Sequence, residues 1–259
     1  MTVSYRLEDS VAVLTLDDVP RHNVLSRAMI VELNRSYACS IRDGARAIVL
    51  GSNGPSFCAG ANIDDLRSGW MEGDDPETDP LHFFQRLAAD RRVTIAAVQG
   101  IAAGGGLELT LACDLVMAGE RATFLAPELG HGVIPPLGIA LLPHVVGRHR
   151  AMDMVLTRRK VGAEEALRIG LATHRAEVED VISAAVALAR SIVDKIPPGA
   201  LGVAKQQLGH HQPLDWESIF TSSGEVPAAE WREGLDAFMQ KRRPEYDRFW
   251  DKSGREDHP

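Results

Sequence analysis

The chain lacks an excess of basic residues. It has 28 lysines and arginines against 36 aspartates and glutamates, and its formal net charge is −8. A protein that binds duplex nucleic acid needs a positively charged surface, and no run of basic residues with interleaved aromatic residues occurs here. We therefore expect no nucleic-acid partner, although an anionic ligand could still bind through a few local Arg or Lys side chains.

Long hydrophobic runs and cysteines are also scarce. The longest uncharged run, residues 93–107, is too short and too rich in glycine to span a bilayer. The first ten residues, MTVSYRLEDS, contain no apolar core of a signal peptide. The cysteines Cys39, Cys58 and Cys113 are widely spaced, odd in number and without metal-site spacing. We expect a cytoplasmic protein with buried, reduced thiols and no membrane partner.

Signatures of several enzyme classes are missing as well. No G-x-S-x-G sequence is present, which removes the usual signature of a serine hydrolase. The glycines before Glu108 do not fit G-x-G-x-x-G, because Leu109 stands where the last glycine would be, and no Walker lysine follows. His210 and His211 lack an H-E-x-x-H or cysteine context, so no metal site is expected.

The pattern that is present alternates strands and helices up to about residue 190, and it is mostly helical beyond that point. Tyr5–Leu7 and Val11–Leu16 flank a turn and predict a hairpin, and Ser26 is a candidate N-cap for a helix that ends near Arg42. A Gly/Asn/Pro/Ser-rich connection is predicted over 51–60, and a polar surface loop over 67–80. Further strands are predicted at 45–50, before Gly100, at 115–118 and at 122–125; further helices are predicted from 61 and at 81–92, 137–146, 151–157, 163–169, 178–194, 199–208 and 228–242.

The stretch Ile95–Asp114, IAAVQGIAAGGGLELTLACD, carries the strongest chemical signal. Three glycines, Gly104–Gly106, open a predicted helix, and their backbone N–H groups can approach a ligand closely. Glu108 follows in an otherwise apolar segment, and burial of an ionised carboxylate is costly without a partner. An anion site beside a buried carboxylate suits acid–base chemistry on a carbonyl compound.

Two further motifs are ambiguous when taken singly. Phe57–Asn62 is a turn of small residues between a strand and a helix, and alone it is best explained as a tight connection. Glu128 follows Pro127 in A-P-E-L-G, which is also ordinary chemistry for the start of a helix. Two acids near helix starts, Glu108 and Glu128, make a better case for a catalytic pair together than either does alone.

The order of these motifs resembles the enoyl-CoA hydratase/isomerase family, also called crotonases. The match runs through F-C-A-G-A, G-G-G-x-E-L-x-x-x-C-D and P-E-x-G-x-G-x-I-P, and extends to Arg232–Arg242. The resemblance implies an α/β fold, a crotonase-like spiral of repeated ββα units with a helical C-terminal trimerisation region. It implies a core over 1–195 that holds the acyl-CoA site, and a C-terminal region over 196–259 for oligomerisation and closure of the CoA pocket.

The resemblance also implies an activity, the addition of water across the 2,3 double bond of a 2-enoyl-CoA thioester. The backbone N–H groups of Ala61 and Gly105 would form an oxyanion hole for the enolate. Glu108 and Glu128 would hold the water and move its protons, because two acids in a dry pocket push their pKa values apart. No cofactor and no metal are implied, since the substrate itself carries coenzyme A.

Further residues are implied in substrate binding. Arg21 would border the CoA nucleotide, and Phe238 and Lys241 would meet the CoA of a neighbouring subunit in a homotrimer or dimer of trimers. Lys241 could equally belong to a solvated basic segment, Lys241–Arg243. The full set of substrate-binding residues implied by the resemblance is Arg21, Ala59, Gly60, Ala61, Ile63, Gly104, Gly105, Pro127, Pro135, Leu137, Phe238 and Lys241.

Several positions depart from the family pattern. Asn62 replaces the usual acid after the A-G-A turn, and the small, glycine-rich stretch after I-P is here Pro135–Ala140, with bulkier Leu137 and Ile139. Isomerisation, hydrolysis or decarboxylation of an acyl-CoA therefore stays open beside hydration. So does a homologue that binds acyl-CoA or RNA without turnover. His131 could reach the acyl pocket, although a solvent-facing or hydrogen-bonded histidine explains it as well.

Overall fold

The structure is a computed structural model that describes residues 2–70, 75–176, 180–210, 215–222, 226–246 and 249. Its strands are β1 (Val3–Glu8), β2 (Val11–Leu16), β3 (Ala47–Ser52), β4 (Ser56–Cys58), β5 (Val93–Val98), β6 (Ile101–Ala103), β7 (Leu115–Ala118), β8 (Thr123–Leu125), β9 (Val161–Gly162) and β10 (His174–Arg175). Its α-helices are α1 (Arg27–Arg42), α2 (Ile63–Arg67), α3 (Pro80–Ala89), α4 (Gly105–Leu111), α5 (Pro136–Val146), α6 (Arg148–Thr157), α7 (Ala163–Ile169), α8 (Val181–Val193), α9 (Pro198–His210), α10 (Trp216–Ser222) and α11 (Ala228–Met239).

The strands form two sheets. The larger sheet has the order β1-β2-β3-β5-β7-β10, with the β1–β2 hairpin antiparallel and every other pair parallel. The smaller sheet has the order β4-β6-β8-β9, with β4, β6 and β8 parallel to one another. In each of three successive repeats the chain runs through one strand of the larger sheet, one strand of the smaller sheet and then a helix. This is the ββα spiral that the resemblance implied.

Apolar side chains cover both faces of the larger sheet. On one face α8 packs through Val181, Ala185, Val186 and Ala189 against alternate residues of β2, β3 and β5. The other face joins the main core, which α1 and α3 complete with Met29, Leu33 and Phe83 among others. Because a parallel sheet is buried on both faces, its strands are nearly continuously apolar, as β2, VAVLTL, is here.

Most predicted elements are present, with boundaries shifted by a few residues. Ser26 caps α1, where its hydroxyl accepts a hydrogen bond from the Met29 N–H. The connection predicted over 51–60 was wrong in part, because it contains β4, and neither β6 nor α10 was predicted. The predicted start of α8 at Val178 lies outside the described residues.

Two other predictions need correction. The loop over 67–80 is not purely a surface loop, because Trp70 is only 3% exposed and its indole N–H donates a 2.8 Å hydrogen bond to the Thr78 carbonyl; residues 71–74 lie outside the described part. Of the cysteines, Cys58 is buried, but Cys39 and Cys113 are only partly buried, and all three are free thiols. Within the described ranges, no helix combines the length and apolar character that a membrane crossing requires.

The C-terminal helices pack back onto the core. Helix α11 lies against the 3₁₀ helix Glu128–His131, where Cβ atoms built at Gly132 and Gly234 would lie 2.6 Å from the Glu230 carbonyl oxygen and 1.9 Å from that of His131. The two backbones approach this closely only because both positions are glycine. Helix α11 is thereby fixed beside the segment that carries Glu128.

Candidate active site

Three strand-to-helix turns lie at one edge of the smaller sheet. Strands β4, β6 and β8 run parallel, so the residues that follow them, Ala59–Asn62, Gly104–Gly105 and Ala126–Glu128, meet at their common carboxyl end. Ligand sites in parallel sheets form at this edge, because side chains and free backbone groups of successive connections converge there. The three motifs singled out in the sequence are thus brought together.

The first two turns face each other closely. A Cβ built at Gly105 would lie 3.7 Å from the Ala61 nitrogen, and one built at Gly60 would lie 3.3 Å from the Ala103 carbonyl oxygen. Gly60 has φ +111° and Gly104 has φ +55°, backbone conformations that side chains other than hydrogen rarely allow. Only glycine lets the two backbones come together in this way.

The backbone N–H groups of Ala61 and Gly105 remain available at this junction. Within the described ranges, the neighbouring N–H groups of Asn62 and Gly104 donate to the carbonyls of Leu25 and Leu125, but those of Ala61 and Gly105 donate to no protein atom. Gly105 is the first residue of α4, so its N–H has no partner within the helix. Two converging free donors can bind one oxygen that carries negative charge.

Glu108 lies one turn into α4 and is 6% exposed. Its Oε1 accepts a 2.9 Å hydrogen bond from the backbone N–H of Gly138 at the start of α5. Burial raises the pKa of the Glu108 carboxyl above its usual value, and the hydrogen bonds from the Gly138 and Leu137 backbone act in the opposite direction. The backbone donors therefore favour the ionised form of this carboxyl.

Glu128 opens the 3₁₀ helix after β8, and both of its carboxylate oxygens are buried without a hydrogen-bond partner among the described residues. Its Oε1 lies against Gly104, where a built Cβ would approach it to 2.9 Å. Burial raises the pKa of Glu128, and the negative charge of Glu108 raises it further. An unpartnered buried acid of this kind is a candidate for holding and delivering a proton.

Both glutamates line one cavity of about 1060 Å³. Of the residues implied by the resemblance, the cavity is lined by Arg21, Ala59, Gly60, Ala61, Ile63, Gly104, Gly105, Glu108, Pro127, Glu128 and Phe238. Three others are not among its lining residues. Pro135 is the residue before α5 and is buried, Leu137 is fully buried in the core, and Lys241 lies elsewhere.

The reason for the exclusion of Leu137 is helical geometry. Helix α5 begins at Pro136, and this proline faces the cavity while Leu137 points into the core. Val133 and Ile134, just before the helix, also line the cavity. The bulky side chains of Leu137 and Ile139 therefore do not narrow the cavity. Leu137 is buried in the core, and Ile139 is 46% exposed at the surface.

Arg21 and Lys241 occupy peripheral positions. The Arg21 side chain is 60% exposed at the cavity rim, and its Nε forms a 2.8 Å ion pair with Asp18. Lys241 lines a second cavity of about 1210 Å³ together with Arg158 and Arg243. Phe238 and His131 line both cavities, and their rings meet edge to face at 5.0 Å.

Asn62 has a local structural task. Its side-chain oxygen accepts hydrogen bonds from the backbone N–H groups of Asp64 and Asp65, so it caps α2. The departure from an acid at this position thus leaves the start of the helix intact.

Across the described ranges, no cluster of three or more His, Cys, Asp or Glu side chains is arranged to hold a metal ion.

Sequence reasoning missed the apolar wall of the cavity. Phe84 of α3, Phe220 of α10 and Trp231 of α11 line it, with Leu66, Leu81 and Leu235 between them. In the sequence these residues carry no signal that separates them from the core, because cavity-facing and core-facing positions are equally apolar. His131 was noted as a residue that could reach the pocket, and it does line the cavity.

Comparison with known proteins agrees with this geometry. The sequence profile described as enoyl-CoA hydratase/isomerase matches residues 6–248. A Rhodobacter capsulatus protein named probable enoyl-CoA hydratase is 36% identical over 257 residues, which cover 95% of this chain and 97% of the relative. An Arthrobacter protein, 4-chlorobenzoyl coenzyme A dehalogenase-2, is 32% identical over 173 residues, 62% of this chain and 60% of the relative.

Solved structures give the same result. The crystal structure of carnitinyl-CoA hydratase from Mycobacterium avium is 30% identical and superimposes with a TM-score of 0.84, covering 95% of this chain and 98% of that one. An enoyl-CoA hydratase/isomerase from Pseudoalteromonas atlantica T6c is 28% identical, with a TM-score of 0.84 over 95% of this chain and 99% of that one. The profile match over nearly the whole chain and the shared fold together place this protein in the enoyl-CoA hydratase/isomerase family.

Proposed function

We propose that this protein is an enoyl-CoA hydratase that adds water across the 2,3 double bond of a 2-enoyl-CoA thioester. One observation carries the proposal. Two glutamates with buried carboxyl groups, Glu108 and Glu128, line the same cavity as the free backbone N–H groups of Ala61 and Gly105. This arrangement supplies two proton-transfer groups and a site for developing negative charge, which together are what hydration of a conjugated thioester needs.

The backbone donors would act on the thioester oxygen. When water adds to C3, negative charge moves through the conjugated system to the carbonyl oxygen, and an enolate forms. Two N–H groups fixed by the glycine turns would bind that oxygen without reorganising, and one such donor is typically worth about 3 kcal/mol in the transition state. Binding of the carbonyl at this junction would also set C2 and C3 against the two glutamates.

The two glutamates would take different roles. Glu108 accepts a hydrogen bond from the Gly138 N–H, which favours its ionised form, so it would act as the base that takes a proton from water. Among the described residues Glu128 has no hydrogen-bond partner at either oxygen, and burial and Glu108 raise its pKa, so it would be the acid that protonates C2. After one turnover Glu108 is protonated and Glu128 ionised, and proton exchange with solvent restores both.

Hydration can be tested directly with crotonyl-CoA in ¹⁸O-labelled water and mass spectrometry of the products. We expect label in a 3-hydroxyacyl-CoA, and we expect the labelled product to be lost in the double variant Glu108→Gln/Glu128→Gln. Glu120→Gln is the matched control, because this exposed glutamate lies outside the cavity. A shifted double bond, free CoA or CO₂ without a labelled hydroxyacyl product would instead indicate another reaction of the family.

We also propose that the chain assembles into a homotrimer or a dimer of trimers. Exposed apolar side chains lie on α5 and α6, which pack against each other, and on α11, and exposed apolar surface can mark protein–protein contacts. They are Ile139 and Val145 of α5, Met152 and Leu156 of α6, and Phe238 and Met239 of α11. Sedimentation velocity is expected to give a trimer or hexamer, and a fully active monomer would contradict the proposal.

A further inference from the structure

The cavity is lined by both polar and apolar residues. Its acidic and basic lining residues are Arg21 and Asp64, which are exposed, and Glu108 and Glu128, whose carboxyl groups are buried. No other Asp, Glu, Lys or Arg of the described chain lines it. Other polar residues that line it are His22, Asn62, His131 and Thr221. The apolar lining residues that we call the chamber are Leu66 of α2, Leu81 and Phe84 of α3, Ile134, Phe220 of α10, and Trp231 and Leu235 of α11.

This apolar wall is held from behind by specific contacts. The ring of Phe220 packs against that of His82 of α3, with centroids 4.5 Å apart. The ring of Trp216 also packs against Phe220, with centroids 6.1 Å apart. Helix α11 is tied to α2 by the ion pair Arg67–Asp236 at 2.8 Å. The side chains around the chamber are therefore anchored to neighbouring helices, which favours a preformed chamber over one that collapses when empty.

We propose that this chamber favours a long, uncharged hydrocarbon acyl group over short and carboxylated ones. The inference rests on the proposed acyl-CoA site and specifies its substrate class. Each methylene of the acyl chain that the chamber removes from water is expected to raise the affinity for the acyl-CoA about fourfold. A terminal carboxylate among the chamber residues would lose its water and meet only apolar side chains of that set, at a high cost.

Binding of saturated acyl-CoAs tests the inference independently of hydration, because these thioesters have no 2,3 double bond to hydrate. By isothermal titration calorimetry, octanoyl-CoA is expected to bind on the order of 100-fold more tightly than butyryl-CoA. Octanedioyl-CoA, with the same chain and a terminal carboxylate, is expected to lose most of that gain. Equal affinities for octanoyl- and butyryl-CoA, or for octanoyl- and octanedioyl-CoA, would overturn the proposal.

Two variants that fill the chamber from different elements locate the effect. Leu66→Trp and Ile134→Trp are each expected to reduce the octanoyl-to-butyryl affinity ratio by about tenfold or more, as lost burial of several methylenes requires. Leu167→Trp is the matched control, because Leu167 lies on α7, is 41% exposed and does not line the cavity. An unchanged ratio in both filling variants, with folding verified by circular dichroism, would place the acyl group elsewhere.

A failed hydration assay would leave these measurements interpretable. If octanoyl-CoA binds tightly and no 3-hydroxyacyl product forms from its 2-enoyl analogue, the proposed preference for long acyl chains is supported and the proposed hydration is contradicted. If crotonyl-CoA is hydrated but affinity does not rise with the length of the acyl chain, hydration is supported and the proposed preference for long acyl chains is contradicted.

Discussion

Replacement of Glu128 with glutamine is expected to lower kcat for 2-enoyl-CoA hydration by roughly 10²–10⁴-fold, the usual contribution of one positioned proton-transfer group. Glutamine has the same shape but cannot release a proton to C2. Because both carboxylate oxygens of Glu128 are buried without a described partner, the substitution breaks no hydrogen bond within the described chain. The fold is therefore expected to keep or slightly raise its thermal midpoint, while turnover is lost.

Glu108→Gln is the companion variant. Glutamine keeps an oxygen that can accept the Gly138 N–H, so the contact between α4 and α5 is retained. We expect a loss of kcat similar to that of Glu128→Gln, and a double variant that is little worse than either, because the two residues act on one reaction. Steady-state kinetics with crotonyl-CoA checks both, and near-parental turnover in either variant would exclude the acid–base mechanism.

The pKa of Glu128 gives a second readout of the pair. The negative charge of Glu108 raises this pKa, so its removal in Glu108→Gln is expected to lower the pKa of Glu128. Burial, the larger cause, remains, so the pKa should stay above its ordinary value. Carbon-13 NMR of labelled glutamate carboxyls across pH measures the change, with Glu120→Gln as the control that should leave the pKa of Glu128 unmoved.

Alanine at Gly104 is expected to reduce kcat on the order of 100-fold, which is the size of loss that a misplacement of about 1 Å in a catalytic group can cause. A Cβ at this position would lie 2.9 Å from Oε1 of Glu128. The Glu128 carboxyl group can move away more easily than the backbone can, so we expect the clash to be relieved by displacement of this proposed acid. The effect on turnover should thus exceed the effect on folding.

Gly44→Ala is a control for the general cost of alanine at a positive φ. Gly44 has φ +69° and Gly104 has φ +55° with ψ −125°, so alanine is strained at both positions, and more strongly at Gly104, whose ψ lies outside the left-handed helical region. At Gly44, however, a Cβ would meet no atom within 4 Å. Both variants should lose thermal stability, and only Gly104→Ala should lose kcat. Equal losses of kcat in the two variants would mean that strain alone, and not the contact with Glu128, determines the result.

The sequence by itself determined the chemical parts of the site. The glycines and the two acids of the candidate site can be recognised in the sequence. Gly60 and Gly104 have positive φ, a Cβ at Gly106 would lie 2.3 Å from the Cys58 carbonyl oxygen, and burial of the Glu108 and Glu128 carboxyl groups restricts residue type. Long elements were also predictable. Helix α1, with its Ser26 cap and apolar periodicity, and strand β2, with its continuous apolar run, carry their signals locally.

Only the tertiary structure decided which residues meet at the site. Strands β4 and β6 are three residues each, too short for a periodic signal, and were not predicted; strand β8, also three residues, was predicted at 122–125, but its pairing with β6 was not. Their pairing brings the three turns to one edge. No local preference of Ser56–Cys58 or Ile101–Ala103 specifies this arrangement.

The tertiary structure also decided which apolar residues line the cavity. Phe83 and Phe84 are adjacent in sequence and equally buried, yet only Phe84 lines the cavity. Pro136 lines it and Leu137 does not, because the start of α5 sets the direction of each side chain. The hydrophobic effect favours burial of apolar surface equally in the core and against a ligand. The sequence pattern alone therefore cannot distinguish a core position from one that lines the cavity.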